Sequence, residues 1–101
     1  MAFKFAAHVD DLRDDEPFGI EINGEPIALY RISGEVFATH NICTHQYALL
    51  SEGYLDGDCI ECPLHQACFD VRTGAVVSGS AETSLKIYPV RIEDDDILVD
   101  V

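Results

Sequence analysis

The chain has 101 residues, enough for one small domain, and its 19 acidic against 6 basic residues give a formal net charge of −13. A surface of this sign repels phosphate backbones and anionic lipid headgroups, so we expect neither nucleic acid nor a membrane surface as a partner. The first ten residues lack the basic start and apolar stretch of a signal peptide, and no apolar run could span a bilayer. These features predict a cytoplasmic protein.

The predicted elements are mostly short strands separated by turns. Residues 9–16 predict one short helical turn that begins near Asp10. The strands expected after it are 20–22, 27–30, 35–39, 54–55, 59–60, 69–71 and 75–77. Turn signals lie between them at Asn23-Gly24-Glu25-Pro26, Ser33-Gly34, Asp56-Gly57-Asp58 and Thr73-Gly74. Residues 85–92 and 97–101 predict a closing hairpin, in which Pro89 indicates a sheet edge or a bulge.

Many short strands at this spacing predict an all-β fold, a small β-sandwich or barrel. The stretch from about 40 to 78 differs from the rest, because it contains all four cysteines and three of the four histidines. We therefore expect a single domain over residues 1–101, in which residues 40–78 form a smaller metal-binding subdomain on an all-β base.

Two short clusters carry the chemistry, Cys43-Thr44-His45 and Cys62-Pro63-Leu64-His65. Each cluster supplies one thiolate and one imidazole, so two loops brought together offer two cysteines and two histidines to one site. A structural zinc accepts such a set, but zinc-finger signatures usually place Cys with Cys and His with His. One residue of each kind per loop favours a two-iron cluster bridged by the loops. A zinc-stabilised binding module stays open as the alternative.

The spacing resembles the Rieske motif, C-x-H followed by C-x-x-H, over both loops and the segment around them from about 40 to 74. This resemblance implies a Rieske-type fold, in which a basal β-sandwich or barrel carries a smaller cluster-binding subdomain. It also implies one [2Fe–2S] cluster, with Cys43 and Cys62 on the inner iron and His45 and His65 on the outer one. Histidine ligation leaves the oxidised cluster neutral and raises its potential above that of four-cysteine ferredoxins.

The sequence departs from the high-potential Rieske proteins of respiratory complexes at four positions, and these departures bear on the expected reduction potential of the cluster. Those proteins carry a disulfide between the ligand loops, at positions that are Ala48 and Leu64 here. They also place Ser and Tyr hydroxyls against the cluster, at positions that match Ala67 and Phe69. Because hydrogen bonds to cluster sulfur raise the potential, the resemblance implies a low-potential cluster.

This combination is similar to the soluble Rieske ferredoxins of bacterial aromatic-ring-hydroxylating dioxygenase systems, above all the naphthalene-dioxygenase type. The segments that carry the similarity are Cys43-Thr44-His45-Gln46-Tyr47-Ala48-Leu49 and Gly53-Tyr54-Leu55-Asp56-Gly57. It implies an electron carrier, not itself an enzyme, and a small acidic carrier that must meet two partners in turn suits a monomer. Its partners would be a flavoprotein ferredoxin reductase that oxidises NAD(P)H and a terminal oxygenase with its own Rieske centre.

A second alternative is a Rieske-like small subunit of a nitrite-reductase-type enzyme. Members of that group commonly lack the cluster ligands, whereas all four are present here.

Cys59 and Cys68 are left over from the ligand set. Cys59 forms a C-x-x-C with Cys62, which keeps a zinc site conceivable, whereas a disulfide between Cys59 and Cys68 would suit an oxidising compartment. We expect both to be free thiols packed near the cluster. His8 and His40 fit no ligand position of the motif.

Overall fold

The computed structural model describes residues 2–44, 48–64, 67–79 and 83–101. In this part of the chain, eleven strands form three antiparallel sheets, which confirms the all-β prediction. The strands are β1 (Phe3–His8), β2 (Phe18–Ile22), β3 (Glu25–Ile32), β4 (Glu35–His40), β5 (Tyr54–Asp56), β6 (Cys59–Glu61), β7 (Ala67–Asp70), β8 (Val76–Gly79), β9 (Ile87–Tyr88), β10 (Val90–Glu93) and β11 (Asp96–Asp100). Two 3₁₀ turns, Val9–Asp11 and Leu50–Glu52, complete the elements found in these ranges. Among the same residues, no helical segment has the length and hydropathy needed to cross a bilayer.

The first sheet has the order β1-β11-β10, the second β2-β3-β4-β9 and the third β5-β6-β7-β8. Strand β3 is buried on both faces, because its side chains alternate between two cores. Ile27 and Leu29 belong to the base core, which the second sheet shares with the first. Ala28, Tyr30 and Ile32 belong to a second core, which the second sheet shares with the third. This second core also contains Cys43 and Cys62 of the two predicted ligand loops, and it is called the loop core. The third sheet therefore rests on a base that has an apolar core of its own.

The two tightest predicted turns are confirmed. Asn23-Gly24 and Ser33-Gly34 each have two successive positive φ angles, 53° and 82° in the first pair and 51° and 82° in the second. This is the conformation of type I′ turns, whose twist matches that of the strands they join. The first turn is shorter than predicted, since Glu25-Pro26 already belongs to β3, where Pro26 pairs with Glu21.

Pro89 divides the predicted strand 85–92 into β9 and β10, which belong to different sheets. Strand β9 pairs with β4 in the second sheet, and β10 pairs with β11 in the first. Both short strands lie at sheet edges, in agreement with the prediction for Pro89. Proline has no N–H to donate at this point, but its carbonyl accepts a hydrogen bond from the N–H of Asp100 (3.1 Å).

The N-terminal segment differs from the sequence-based expectation. Strand β1 was not predicted, and it pairs with β11 from the other end of the chain. The short helical turn is Val9–Asp11, and its N-cap is His8 rather than Asp10. The imidazole Nδ1 of His8 accepts from the N–H of Asp10 (3.2 Å), and the N–H of His8 donates to Asp11 Oδ2 (3.0 Å). This histidine therefore has a local capping role.

Arg72 connects the second sheet with the third. Its guanidinium carbon lies 4.6 Å from the centroid of the Phe37 ring in β4, and Nη1 lies 3.6 Å from Glu35 Oε1 at the start of that strand. Its Nε also lies 3.2 Å from Oδ2 of Asp58, in the turn between β5 and β6. One side chain thus contacts both layers that enclose the loop core.

Replacing Arg72 by alanine is expected to lower the free energy of unfolding by about 1–2 kcal/mol. An exposed ion pair contributes about 0.2–1 kcal/mol and a cation–π contact about 0.5–1 kcal/mol. Urea denaturation followed by circular dichroism measures the change. The matched control is Arg91→Ala, which removes a stack on Phe3 and one ion pair with Glu93 inside a single sheet, and which should cost less. An Arg72→Ala midpoint equal to that of the unchanged protein would contradict the connecting role.

Candidate metal centre

The first predicted ligand loop leaves the second sheet at the end of β4. Ile42 and Leu49 form an isolated antiparallel bridge at its base. Beyond the bridge, the N–H of Cys43 donates to the carbonyl of Ala48 (2.9 Å). The loop therefore closes within five residues, and Cys43 stands at its first position.

A buried asparagine fixes the base of this loop. Asn41 is only 4% exposed, and its side-chain Nδ2 donates to Ser51 Oγ (2.9 Å) while its Oδ1 accepts from the N–H of Ser51 (2.7 Å). The carbonyl of Asn41 also accepts from the N–H of Leu50 (2.7 Å). Because Asn41, at the entry to the loop, is hydrogen-bonded to the 3₁₀ turn Leu50–Glu52 that follows its exit, the two ends of the loop are held together.

The second predicted ligand loop is the connection between β6 and β7. Glu61 and Cys68 form the last pair of that ladder. Beyond them, the N–H of Cys62 donates to the carbonyl of Ala67 (2.9 Å). Both loops therefore close in the same way, with a cysteine N–H bonded to the carbonyl of an alanine five residues later. This shared closure gives Cys43 and Cys62 equivalent backbone positions.

The two thiols at these positions are buried in one place. Cys43 is 4% exposed and Cys62 is 0% exposed, and both belong to the loop core together with Leu50, Ile60 and Phe69. A thiolate in such surroundings needs a compensating cation, because burying an unpaired charge is costly. Iron supplies that charge, and thiolates are the ligands of iron–sulfur clusters. The donor set in the described residues therefore fits the sulfur half of the predicted centre.

The two predicted imidazole ligands, His45 and His65, lie outside the described residues. In the sequence, His45 follows Cys43 by two positions and His65 follows Cys62 by three. Each histidine thus falls between the cysteine and the alanine that close its loop. Their ligand role stays a prediction from the motif.

The four positions that distinguish this chain from respiratory Rieske proteins lie around the loops. Ala48 is partly buried against the loop core, whereas Leu64 is 45% exposed. Ala67 and Phe69 are buried in that core, at 4% and 0% exposure. The side chains at these positions have neither a thiol nor a hydroxyl, so they offer the site no disulfide and no hydrogen bond.

Sequence reasoning missed a third segment beside the site. The hydroxyl of Thr44 donates to the carbonyl of Thr83 (2.7 Å), which ties the first loop to the segment leading into β9. A backbone carbonyl has no signature in the sequence, and nothing near Thr83 marks it as a partner. The contact extends the surroundings of the first loop beyond the two predicted clusters.

The two remaining cysteines form a pair of their own. Cys59 and Cys68 are not joined by a disulfide, and they are diagonal neighbours on one face of the ladder between β6 and β7. Burial, followed by the neighbouring Cys59 thiol, raises the pKa of the Cys68 thiol to about 12. Both are half-buried on the face of the third sheet opposite Ile60 and Phe69, which point into the loop core. The two thiols are expected near the cluster, but they face away from the core that contains Cys62.

His40 interacts with a tyrosine rather than with the loops. Its Nδ1 lies 3.4 Å from the hydroxyl of Tyr88, and that hydroxyl donates to Glu25 Oε1 (3.4 Å). Burial, followed by the nearby Glu25 carboxylate, raises the pKa of Tyr88 to about 12. His40 therefore belongs to a polar contact within the second sheet.

Comparison with known proteins adds independent information. A sequence profile described as the Rieske [2Fe-2S] domain matches residues 2–89. The ferredoxin component of the naphthalene 1,2-dioxygenase/salicylate 5-hydroxylase systems of Ralstonia sp is 45% identical over 94 residues, which cover 93% of this chain and 90% of that protein.

Solved structures give the same grouping. The Sphingomonas yanoikuyae B1 ferredoxin superposes with a TM-score of 0.93 at 39% identity, over 99% of each chain. A chain from a complex of reduced oxygenase and oxidised ferredoxin in carbazole 1,9a-dioxygenase superposes with a TM-score of 0.90 at 33% identity, over 96% of this chain and 100% of that chain.

Proposed function

Since the chain belongs to the Rieske [2Fe–2S] domain family, we propose that it is the ferredoxin component of a bacterial aromatic-ring-hydroxylating dioxygenase system. Its cofactor is one Rieske-type [2Fe–2S] cluster, which takes up and releases a single electron when bound. The chain accepts electrons from a flavoprotein ferredoxin reductase that oxidises NAD(P)H, and it delivers them to the Rieske centre of a terminal oxygenase. The relatives with this role, which match over nearly the whole chain, support the assignment.

The ligand set is part of the proposal. Cys43 and Cys62 hold the inner iron, and His45 and His65 hold the outer one. The observation that carries this assignment is the identical closure of the two loops, which gives the two buried cysteines equivalent positions. We assign the cluster-binding part to residues 40–78 of a single domain over 1–101, because that stretch contains both loops and all of the third sheet except Gly79, the last residue of β8.

Cluster binding is expected to complete the loop core and to release protons. Ligation by iron requires thiolates, so metal binding to thiol ligands is accompanied by proton release. In this chain the ligands concerned are Cys43 and Cys62. Because metal that binds only the folded state adds folding free energy, the loops and the third sheet gain stability from the cofactor.

The surroundings of the loops support a low reduction potential. Ala67 and Phe69 have no hydroxyl to donate to sulfur, and both are buried in the same core as Cys62. A cluster whose sulfur atoms accept no hydrogen bonds has a lower reduction potential than one whose sulfur atoms accept them. A low potential suits a carrier that stands between a nicotinamide-dependent reductase and an oxygenase.

Replacing Phe69 by tyrosine is expected to raise the midpoint potential by on the order of 65–130 mV. A hydrogen bond to a charged group contributes about 1.5–3 kcal/mol, and about 59 mV corresponds to a tenfold change for one electron. Spectroelectrochemical titration measures the potential. Tyr30→Phe is the matched control, because Tyr30 lies in the same core but its hydroxyl is bonded to Thr39 (2.9 Å). A folded Phe69→Tyr protein whose hydroxyl contacts cluster sulfur without any shift would refute the hydrogen-bond explanation.

Chemical analysis and reconstitution test the proposed function. The purified protein should contain two irons and two acid-labile sulfides per chain, as a [2Fe–2S] cluster requires, and its reduced form should give a rhombic EPR signal. With NAD(P)H, a flavoprotein reductase and a terminal oxygenase of this class, it should support oxygenase turnover. Equimolar zinc without acid-labile sulfide would refute the assignment in favour of a zinc-stabilised module.

The proposed oligomeric state and cellular location of the carrier follow from its role in electron transfer. A carrier that binds a reductase and an oxygenase in turn must keep its two ligand loops accessible to both partners. We therefore propose that it is a monomer. We place it in the cytoplasm, where NAD(P)H is available to its reductase and where reduced thiols such as Cys59 persist. Size-exclusion chromatography with light scattering measures the oligomeric state.

A further inference from the structure

The two predicted ligand loops belong to different layers of the fold. The first loop leaves the second sheet at the end of β4, and the second loop joins β6 and β7 of the third sheet. Ligands of one site must be held to within about 0.5 Å of their working positions. A site shared by both loops therefore needs an element that fixes the distance between the layers. The 3₁₀ turn Leu50–Glu52 is suitably placed, because it follows the first loop and precedes β5.

A glycine of the base lies against this turn. In β2, Gly19 pairs with Ala28 of β3, which belongs to the loop core. A Cβ at position 19 would lie 2.7 Å from Ser51 Oγ, closer than such atoms approach in proteins, and 3.0 Å from Ser51 Cβ. Gly19 has no positive φ, so its backbone conformation does not require glycine. What requires glycine here is the close approach of Ser51.

Asn41 holds the turn in this place. Its N–H donates to the carbonyl of Pro26 in β3 (3.0 Å), and its side-chain amide bonds both the hydroxyl and the N–H of Ser51. Because Asn41 is buried, loss of these bonds would leave polar groups without partners, which is costly. Asn41 also precedes Cys43 by two residues. The turn and the start of the first loop are therefore fixed to the same two strands of the base, β2 and β3.

The other end of the turn is packed against the start of the second loop. Gly53 directly follows the turn, and a Cβ there would overlap the carbonyl oxygen of Glu61. Glu61 immediately precedes Cys62. Leu50, at the beginning of the turn, is fully buried in the loop core. The turn therefore fills the space between β2 of the base and the strand that leads to Cys62.

We propose that the 3₁₀ turn Leu50–Glu52 is a spacer that sets the distance between the two ligand loops, and that Gly19, Asn41 and Ser51 are positioning residues that hold it on the base. In the proposed function, on which this spacer role rests, both loops hold one [2Fe–2S] cluster. A displaced spacer moves the first loop relative to the second and distorts the ligation. The residues that orient metal ligands affect both the retention and the electronic properties of the metal site.

The test is a double-substitution cycle on the protein with its cluster. Gly19→Ala adds a methyl group that overlaps Ser51, whereas Ser51→Gly removes both atoms that the methyl would meet and keeps the N–H that Asn41 accepts. Gly19→Ala alone should shift the g values of the reduced cluster and should accelerate cluster loss to an iron chelator by roughly fivefold or more. In the double variant, both quantities should return to those of Ser51→Gly alone. Unchanged g values and rate in Gly19→Ala, or additive effects in the cycle, would overturn the spacer role.

Gly24→Ala is the matched control, because it adds a methyl group to the turn of the same β2–β3 hairpin. Gly24 has a φ of +82°, and a Cβ there would meet no atom within 4 Å. The control should lower the free energy of unfolding through backbone strain and leave the g values and the chelation rate unchanged. If it changed them as much as Gly19→Ala does, general destabilisation would replace the spacer as the explanation. Ser51→Ala removes one hydrogen bond without adding volume, so it should accelerate cluster loss by roughly threefold even if Gly19→Ala does not fold.

Hydrogen exchange separates the spacer role from the proposed function. The N–H of Leu50 donates to the carbonyl of Asn41 (2.7 Å), and a displaced turn would weaken this bond whatever metal the loops hold. Mass spectrometry of peptides that contain Leu50 should therefore show faster exchange in Gly19→Ala than in Gly24→Ala. A protein with zinc in place of iron would refute the proposed function, and the exchange rates would still decide whether Gly19 positions the turn. Equal exchange in the two variants would overturn the positioning role.

Discussion

Replacing His65 by alanine is expected to reduce electron transfer to the oxygenase by at least about 100-fold, and replacing His45 should have the same effect. Loss of an outer-shell partner alone typically costs a metal site 10–100-fold, and these residues are proposed ligands. With one of the two imidazole ligands removed, His45 or His65 alone would hold the outer iron, so the cluster would be held incompletely. Reduction of the oxygenase in the reconstituted system measures the loss, and iron and acid-labile sulfide content shows its cause.

The base is expected to survive both substitutions. Its core consists of residues from the first and second sheets, such as Ile27, Leu29, Ile97 and Val99, and contains none of the ligand-loop residues that the structure describes. Far-ultraviolet circular dichroism should therefore retain most of the strand signal. The matched control is His40→Ala, because His40 lies next to the first loop in sequence but contacts Tyr88. Full oxygenase turnover with either ligand variant would mean that the shuttle role, or the ligand assignment, is wrong.

The sequence predicted those parts of the fold that local chemistry determines. Asn23-Gly24 and Ser33-Gly34 adopt type I′ turns because residues of these kinds accept positive φ at low cost, and the hairpins that they join were found where expected. The break at Pro89 also follows from a local property, the missing N–H. That the two halves of the strand join different sheets depends on distant partners, which no local pattern specifies.

Elements that depend on pairing between distant segments were missed. Strand β1 has no turn signal beside it, and its partner β11 lies at the other end of the chain. The double burial of β3 did have a signal, the unbroken apolar run Ile27-Ala28-Leu29-Tyr30, which is typical of a strand buried on both faces. That run is the feature from which a packed layer on each face of β3 could have been predicted.

The candidate site also has features that the sequence predicts and features that it does not predict. Side-chain chemistry identified Cys43 and Cys62, since thiol and imidazole spacing is visible in the sequence. The features that hold these cysteines are backbone carbonyls, those of Ala48 and Ala67, and carbonyls are the same in every residue. The Asn41 side chain could have been suspected, because a polar residue just after a strand needs a partner if it is buried.

Replacing Gly53 by alanine is expected to lower the free energy of unfolding by about 2–4 kcal/mol and to reduce the cluster content of the purified protein. A Cβ at this position would overlap the carbonyl oxygen of Glu61, and a backbone atom cannot rotate away. Overpacking against a fixed neighbour typically costs about 1–3 kcal/mol and sometimes more. Because Glu61 immediately precedes Cys62, the displacement would reach the second ligand loop.

Gly57→Ala is the matched control for this prediction, because it places alanine in the turn of the same β5–β6 hairpin. Gly57 has a φ of +60°, and a Cβ there would meet no atom within 4 Å. The control therefore tests backbone strain alone, which costs roughly 1–2 kcal/mol and leaves the ligand loop undisturbed. Urea denaturation and the ratio of visible to ultraviolet absorbance separate the two effects. If Gly53→Ala matched the unchanged protein in both measurements, the close contact between residue 53 and the strand that leads to Cys62 would not be what positions the second loop.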